Sequence, residues 1–298
     1  MIVSIGEPMV EFNQIGERKF LQGFGGDSSN MILAAARSGA RTAYVTRVGD
    51  DEFGRMLLAL WKREGVDTGA VIVDREAPTG AYFVTHGPQG HVFSYLRAGS
   101  AASRLRPADL PDLKKATVVH ASGISMAISQ SACDTVLAAF EQAKGKVSFD
   151  SNLRLKLWPL ERARAMISRA AARADYFFPS LEDARQLSGT ESPERNLAWA
   201  HGLGAKTVFL KLGADGVMVS NGKDLRKIAG VPVKSVDATG AGDCFCGAAL
   251  ARLAAGDSIW DAARYANAAA ALATTGYGAV EPLPTEKGVR TLLRKKGS

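Results

Sequence analysis

The segment Val236-Asp237-Ala238-Thr239-Gly240-Ala241-Gly242-Asp243 runs directly into a helical pattern, Cys244 to Ala254. Two glycines at a helix mouth let backbone come close to a ligand and turn several unpaired amides toward one spot. Together with the positive end of the helix dipole, those amides make an anion site. Asp243 falls in the first turn, where the dipole keeps it ionised and its carboxylate can face the same spot. A carboxylate beside an anion cradle repels a resting phosphate, so the pairing makes sense when a substrate hydroxyl lies between them. In a loose phosphoryl-transfer transition state the attacking oxygen gains little charge early, and a weak base that takes its proton late suffices. The octapeptide equally suits a glycine turn with a capping aspartate and no chemistry. Rival phosphate motifs are missing: there is no P-loop, and Gly23-Phe24-Gly25-Gly26 neither fits the dinucleotide fingerprint nor follows a buried strand.

The elements that must position this segment alternate between strand and helix. Ile2 to Ile5 is a short apolar run; Asp27 or Ser28 caps a helical stretch from Asn30 to Ser38; Thr42 to Val48 is β-branched and aromatic. A second helix starts at Asp50 or Asp51, carries Phe53, Leu57, Leu60 and Trp61, and stops at Gly65. The rhythm resumes at Thr117 to Ala121, with helices from Gln130 to Ala143 and Leu160 to Arg173 and strands at Lys146 to Asp150, Asp175 to Phe178 and Thr207 to Leu212. Gly216 to Ser220 and Leu225 to Ala229 read as an antiparallel pair, and three helical stretches close the chain. Such βαβ alternation implies a parallel sheet covered on both faces. Val10 to Gln22 and Val71 to Arg97 break it with short alternating segments around the turn Gly87-Pro88-Gln89-Gly90. They are expected to form a small accessory sheet, either a flap over a pocket or an edge hairpin for pairing copies.

The 298 residues, 46% hydrophobic and 22% charged, suit one large globular domain. No run of about 18 uninterrupted apolar residues occurs, and Met1 to Gly6 lacks the features of a signal peptide, so a cytoplasmic location without membrane contact is expected. Cys133, Cys244 and Cys246 do not suggest a disulfide or metal site, and His86, His91, His120 and His201 lack ligand spacing. Any divalent ion should arrive with phosphate and be held by oxygen. Net charge is +7, but the basic residues are dispersed; the cluster Arg290 to Lys296 reads as a solvated terminal helix rather than a nucleic-acid contact.

Gly25-Gly26-Asp27 with Asn30, Gly49-Asp50-Asp51 with Phe53-Gly54, Asp150-Ser151-Asn152-Leu153-Arg154, and Asp237 to Asp243 together resemble the ribokinase-like carbohydrate kinases, the PfkB family, in order and along essentially the whole chain. Tyr95-Leu96-Arg97-Ala98-Gly99-Ser100-Ala101 and Arg154-Leu155-Lys156-Leu157-Trp158 are most similar to 2-keto-3-deoxygluconate kinases within it. The resemblance implies a single three-layer αβα domain over residues 1–298, with a mainly parallel sheet and a β-sheet lid within about 10–22 and 71–97. It implies Asp243 as base, with Gly240 and the amides of Ala241 and Gly242 steadying the phosphoryl group. Gly26 and Asn30 would hold the sugar from below, and Tyr82, Tyr95 and Arg97 from the lid. Lys211, Gly213, Asp215, Gly216, Gly240, Gly242 and Asn267 would line ATP. A homo-oligomer is also implied. Where many relatives have Asn-x-x-Glu assisting magnesium, this chain has Ser180-Leu181-Glu182-Asp183, which leaves Asp183 or Glu182 as the residue helping Mg2+ through water.

An acid sugar is suggested by arginine, because a guanidinium fork grips coplanar carboxylate oxygens that a neutral hexose lacks. Arg97 on a lid strand and Arg154 after a sheet strand can converge, and strand geometry puts Tyr95 and Arg97 on one face. Arg97 could equally be a surface residue, Arg154 recurs in fructokinase-like relatives where it need not meet a carboxylate, and Tyr82, with Phe83 as the adjacent alternative, could serve lid packing. A neutral-sugar kinase such as a fructokinase, and a silent sugar or nucleotide sensor, are the competing expectations.

Overall fold

The computed structural model describes residues 1–87 and 90–296, so Pro88 and Gln89 of the expected turn lie outside the described residues. The strands are β1 (Ile2–Ile5), β2 (Met9–Gly16), β3 (Lys19–Gly25), β4 (Thr42–Gly49), β5 (Asp67–Asp74), β6 (Ala81–Gly87), β7 (Gly90–Leu96), β8 (Val118–Ser122), β9 (Lys146–Asp150), β10 (Tyr176–Phe177), β11 (Thr207–Lys211), β12 (Gly216–Ser220) and β13 (Leu225–Ala229). The helices are α1 (Asp27–Arg37), α2 (Glu52–Arg63), α3 (Gly123–Ala127), α4 (Gln130–Gln142), α5 (Leu160–Ala171), α6 (Leu181–Ser188), α7 (Pro193–Gly202), α8 (Ala241–Ala254), α9 (Ile259–Ala273) and α10 (Glu286–Lys296).

Nine strands form the central sheet in the order β13-β12-β11-β10-β9-β8-β1-β4-β5, parallel from β11 through β5 and antiparallel at β12 and β13. Alternate residues of each strand go to opposite faces. Ile2, Val118, Phe209 and Val219 join the apolar layer of α1, α2, α8, α9 and α10, while Val3, Val119, Val208 and Leu210 join that of α4, α5, α6 and α7. Two cores on one sheet make the αβα sandwich the sequence led us to expect.

The second sheet, order β3-β2-β6-β7, is the accessory flap. Its β2–β6 pair is parallel and the other two pairs are antiparallel. The expected lid segment 71–97 is divided, because Asp67–Asp74 pairs in parallel with β4 as an edge of the main sheet. Continuous βαβ pairing through α2 captured that strand, and the flap begins again only at Ala81. One flap face stacks Phe12 on Phe83, with Phe53 of α2 against Phe12. On the opposite face Glu11, Tyr82 and Tyr95 are register partners across β2, β6 and β7.

Small residues decide how closely α8 lies on α1. A Cβ on Gly247 would stand 2.2 Å from the Met31 carbonyl and 2.9 Å from the Ala34 Cβ. The approach sets the α8 N-terminus over the start of α1, which is capped by Gly26 rather than by Asp27 or Ser28. Asp51, not Asp50, caps α2 through the Gly54 amide at 2.8 Å. Gly247→Ala should lower stability by about 2 kcal/mol through overpacking. The measurement is the urea midpoint at constant slope, and an unmoved midpoint would show that the two helices part freely.

Candidate active site

The carboxyl ends of parallel strands converge on one cleft, where open α/β sheets place their ligands. Glu7 follows β1, Asp150 ends β9, Lys211 ends β11, and α8 approaches from above them. Gly240 caps α8 in the left-handed conformation, φ 74°, without a side-chain cap. The Ala241 amide turns back to the Ala238 carbonyl at 3.2 Å. Among the described residues the Gly242 and Asp243 amides have no partner, whereas of the expected pair Ala241 and Gly242 the Ala241 amide is engaged. Asp237 braces the loop: its carboxylate accepts the Thr239 amide and hydroxyl at 2.9 and 2.7 Å and the Gly278 amide at 2.9 Å.

Asp243 faces this space and accepts the Asn30 side-chain N–H at 2.9 Å, while Asn30 Oδ1 is buried without a partner. Three further acids surround it. Asp27 accepts the Asn152 side-chain N–H at 2.9 Å and the Ser28 amide at 2.8 Å. Asp150 takes Lys211 Nζ at 2.7 Å and the Cys246 thiol at 3.3 Å. Asp183 accepts the Ser151 hydroxyl at 2.7 Å and the Leu153 amide at 3.2 Å. Asn152 has φ 28°, alone among the described non-glycine residues in having a positive φ, and in that strained turn its amide reaches Asp150 as its side chain reaches Asp27.

Crowded carboxylates in a dry site resist ionisation. Burial, then the charge of Asp27 and behind it Asp150, pushes the Asp243 carboxyl well up, against the Asn30 donor and the Lys211 charge. Burial likewise raises Asp27 and Asp183. Burial disfavours charge on Lys211, but Asp150 with Cys246 and Asp183 outweighs it and keeps the ammonium charged.

On the far side of α8 a cleft of about 330 Å3 is lined by Lys211, Gly213, Gly216, Gly242, Phe245 and Asn267 among others. It gathers most of the expected nucleotide residues. Asp215 and Gly240 are not among its lining residues; Asp215 is exposed and lines a separate depression with Leu181 and Lys227. Asn267 braces β13 through the Ile228 and Ala229 carbonyls at 3.2 Å each.

The flap supplies the roof. Tyr82 donates its hydroxyl to Glu11 and lies within electrostatic reach of Asp243, while Phe83 faces away. Arg97 lies over the Tyr95 ring at 5.3 Å and is ion-paired to the fully buried Glu7, with its Nε buried and unpartnered. Arg154 is exposed, donates to its neighbour's carbonyl at Leu153, and exerts its charge on Asp27. The two arginines therefore occupy the site separately rather than as one fork. Sequence reasoning did not single out Glu7 or Glu11, and gave Asp27 and Asp150 places in the family motifs, with Asp27 also a candidate helix cap, but no part in the site's charge balance. A polar residue at the carboxyl end of an apolar parallel strand was the signal available for Glu7 and Asp150.

A family description, pfkB family carbohydrate kinase, matches residues 1–286. The chain belongs to the PfkB family of carbohydrate kinases. It is 36% identical to a 2-dehydro-3-deoxygluconokinase of Thermoproteus tenax, over 98% of this chain and 94% of that one. It is 34% identical to a fructokinase of Zea mays, over 99% and 98%. A solved fructokinase double mutant from Vibrio cholerae O395, with fructose, ADP and potassium ion bound, matches with a TM-score of 0.91 at 32% identity, over 98% of this chain and 97% of that one.

Among the described residues of this PfkB kinase no group of three or more His, Cys, Asp or Glu could by itself hold a metal ion. Asp183, expected beside magnesium, braces the loop from Ser151 to Leu153, and Glu182 is exposed. The Asp150–Lys211 pair is the one whose loss should be felt in folding. Lys211→Met leaves a buried carboxylate without its counter-charge and should cost about 3 kcal/mol in urea unfolding. Adding Asp150→Asn should return more than half of that loss, and simple additivity of the two changes would refute the coupling.

Proposed function

We propose that this PfkB kinase transfers the γ-phosphoryl group of ATP to the terminal hydroxyl of 2-keto-3-deoxygluconate, giving 2-keto-3-deoxy-6-phosphogluconate and ADP. The observation that carries phosphoryl transfer is the first turn of α8, where the Asp243 carboxylate, steadied by Asn30, adjoins unpartnered amides. The nucleotide lies in the cleft between α8, Gly213 and Asn267, with its γ-phosphate at the helix mouth. Asn30 and Gly26 hold the sugar from below and Tyr82, Tyr95 and Arg97 from the flap.

As the sugar oxygen bonds to γ-phosphorus, the bond from γ-phosphorus to the bridging oxygen breaks and the electron pair leaves with ADP. The hydroxyl proton passes to Asp243. The amides of Gly242 and Asp243, the helix dipole and Lys211 hold the charge that spreads over the phosphoryl oxygens. The residues fit a divalent ion carried in on the triphosphate: Asp150 and Asp183 would hold it through its waters, and it would neutralise phosphate charge.

The acid sugar rests on Arg97, which keeps a buried, unpartnered Nε on the flap face that also carries Tyr82 and Tyr95. A neutral-sugar kinase is the second reading, favoured by the Glu7 carboxylate that already engages one Nη of Arg97. ADP release with 2-keto-3-deoxygluconate, fructose and ribose in parallel separates them. The ketoacid should have the highest kcat/KM, Arg97→Lys should lower it by about tenfold or more because a point charge cannot reproduce a fork, and a preference for fructose would overturn the assignment. Asp243→Asn should reduce kcat by about 10²-fold or more; retention of over a tenth of the rate would reject it as base.

The pH profile follows from the raised Asp243. A raised pKa leaves the carboxyl protonated, and unable to act as base, at pH values where an ordinary aspartate is ionised. The acid limb of kcat/KM should therefore lie above the usual carboxylate range, with activity lost as pH falls through it. Asp27→Asn removes the largest neighbouring negative charge and should move that limb down by about one unit; an unmoved limb would show that another group controls it.

A further inference from the structure

Glu7 stands where the chain leaves the main sheet for the flap, between the end of β1 and the start of β2. Its side chain is wholly buried. One carboxylate oxygen accepts from Arg97 Nη2 and the other from the Ser100 hydroxyl at 3.3 Å. Arg97 and Ser100 belong to the segment by which the flap returns to the core, so a single carboxylate ties the outgoing and incoming crossings. The backbone of Glu7 is equally constrained. Its carbonyl accepts the Ser28 hydroxyl at 3.4 Å, and a Cβ on Gly26 would stand 2.3 Å from the same oxygen. Glu7 thus touches the floor of the sugar site through its main chain and the roof through its side chain.

An arginine needs such a holder if it is to discriminate. The side chain has many rotamers, and a guanidinium recognises planar anions only when its plane is fixed. Here the plane is held on two sides, by Glu7 at one Nη and by the Tyr95 ring, leaving Nε buried and without a partner. A buried donor left unpaired costs free energy, and a ligand acceptor that satisfies it recovers that cost.

We propose that Glu7 is a positioning residue for substrate specificity: it fixes the guanidinium of Arg97 so that the remaining donors meet the carboxylate of the acid sugar. Glu7 touches neither the reacting hydroxyl nor the phosphate, and acts through Arg97. This role rests on the acid-sugar reading above.

Two conservative variants separate positioning from charge compensation. Glu7→Gln keeps the reach of the side chain and an oxygen that can accept from Nη2, but removes the charge. Glu7→Asp keeps the charge and withdraws the anchor by one methylene. Positioning predicts that Glu7→Asp raises KM for 2-keto-3-deoxygluconate by about tenfold or more, since misplacement on the scale of 1 Å is costly. Glu7→Gln should stay within about threefold of the parent, and KM for ATP and kcat should change little in either variant. The reverse order, with Asp tolerated and Gln damaging, would make the contact an ion pair that merely allows Arg97 to be buried. A joint rise in KM for ATP and for the ketoacid would mark general loosening of the flap and would also overturn the role. The parent protein decides the underlying reading separately: if it phosphorylates fructose and not the ketoacid, the substrate assignment and the Glu7 role fall together. If it prefers the ketoacid while Glu7→Asp leaves KM unmoved, the Glu7 role alone is lost.

Discussion

Four carboxylates, Asp27, Asp150, Asp183 and Asp243, crowd a cleft in which Lys211 pairs with Asp150 and extends its charge to Asp183 and Asp243. Desolvated charge of one sign is costly, and a fold that gathers it must compensate locally or leave some groups protonated. This chain does both. Asn30 and Asn152 donate to Asp243 and Asp27, and the α8 N-terminus directs its dipole at the same space, yet Asp27, Asp183 and Asp243 are still pushed up. The cleft is therefore short of positive charge at the position where the proposed reaction brings a metal-bearing nucleotide. A triphosphate with one divalent cation would still be net negative, so the free amides, the α8 dipole and Lys211 would have to offset its charge.

That arrangement constrains the helices behind it. Asn30 reaches Asp243 because α1 and α8 run close together, and closeness requires the small faces that Gly247 and the alanines of α8 and α9 provide. Larger side chains would enlarge the core and pull the donor away from the acid. The alanine-rich composition of these helices belongs to the same design as the site, with packing distance setting the chemistry.

Much of the main sheet, and the Gly240-capped start of α8 with Asp243 in its first turn, were legible because they are local. Short, near-continuous apolar runs such as Ile2–Ile5 and Thr207–Lys211 mark strands buried on both faces, and Gly240 to Asp243 specifies a helix mouth within four residues. The helices α6 and α7 escaped notice, and β5 was assigned to the flap because an edge strand with exposed positions alternates just as a lid strand does. The contacts that finish the site join residues far apart in sequence: Arg97 to Glu7 across 90 positions, Asn152 to Asp27 across 125, Asn30 to Asp243 across 213. No periodicity encodes such pairs.

Near-equal identity to a 2-dehydro-3-deoxygluconokinase and to a fructokinase, 36% and 34%, has a physical explanation. Both sugars offer a terminal hydroxyl to the base, so the scaffold, the nucleotide cleft and the floor face the same demands in either enzyme. The sugars differ at the opposite end, where one carries a carboxylate. In the proposed arrangement that end would lie under the flap, near Tyr95 and Arg97, which Glu7 holds. Discrimination by one anionic group needs only a few correctly held donors, and failure to pair them penalises the wrong substrate more strongly than added apolar contact could. Whole-chain identity averages those few positions with hundreds that serve both reactions, whereas on the proposed reading the Arg97 guanidinium would bear on the difference directly.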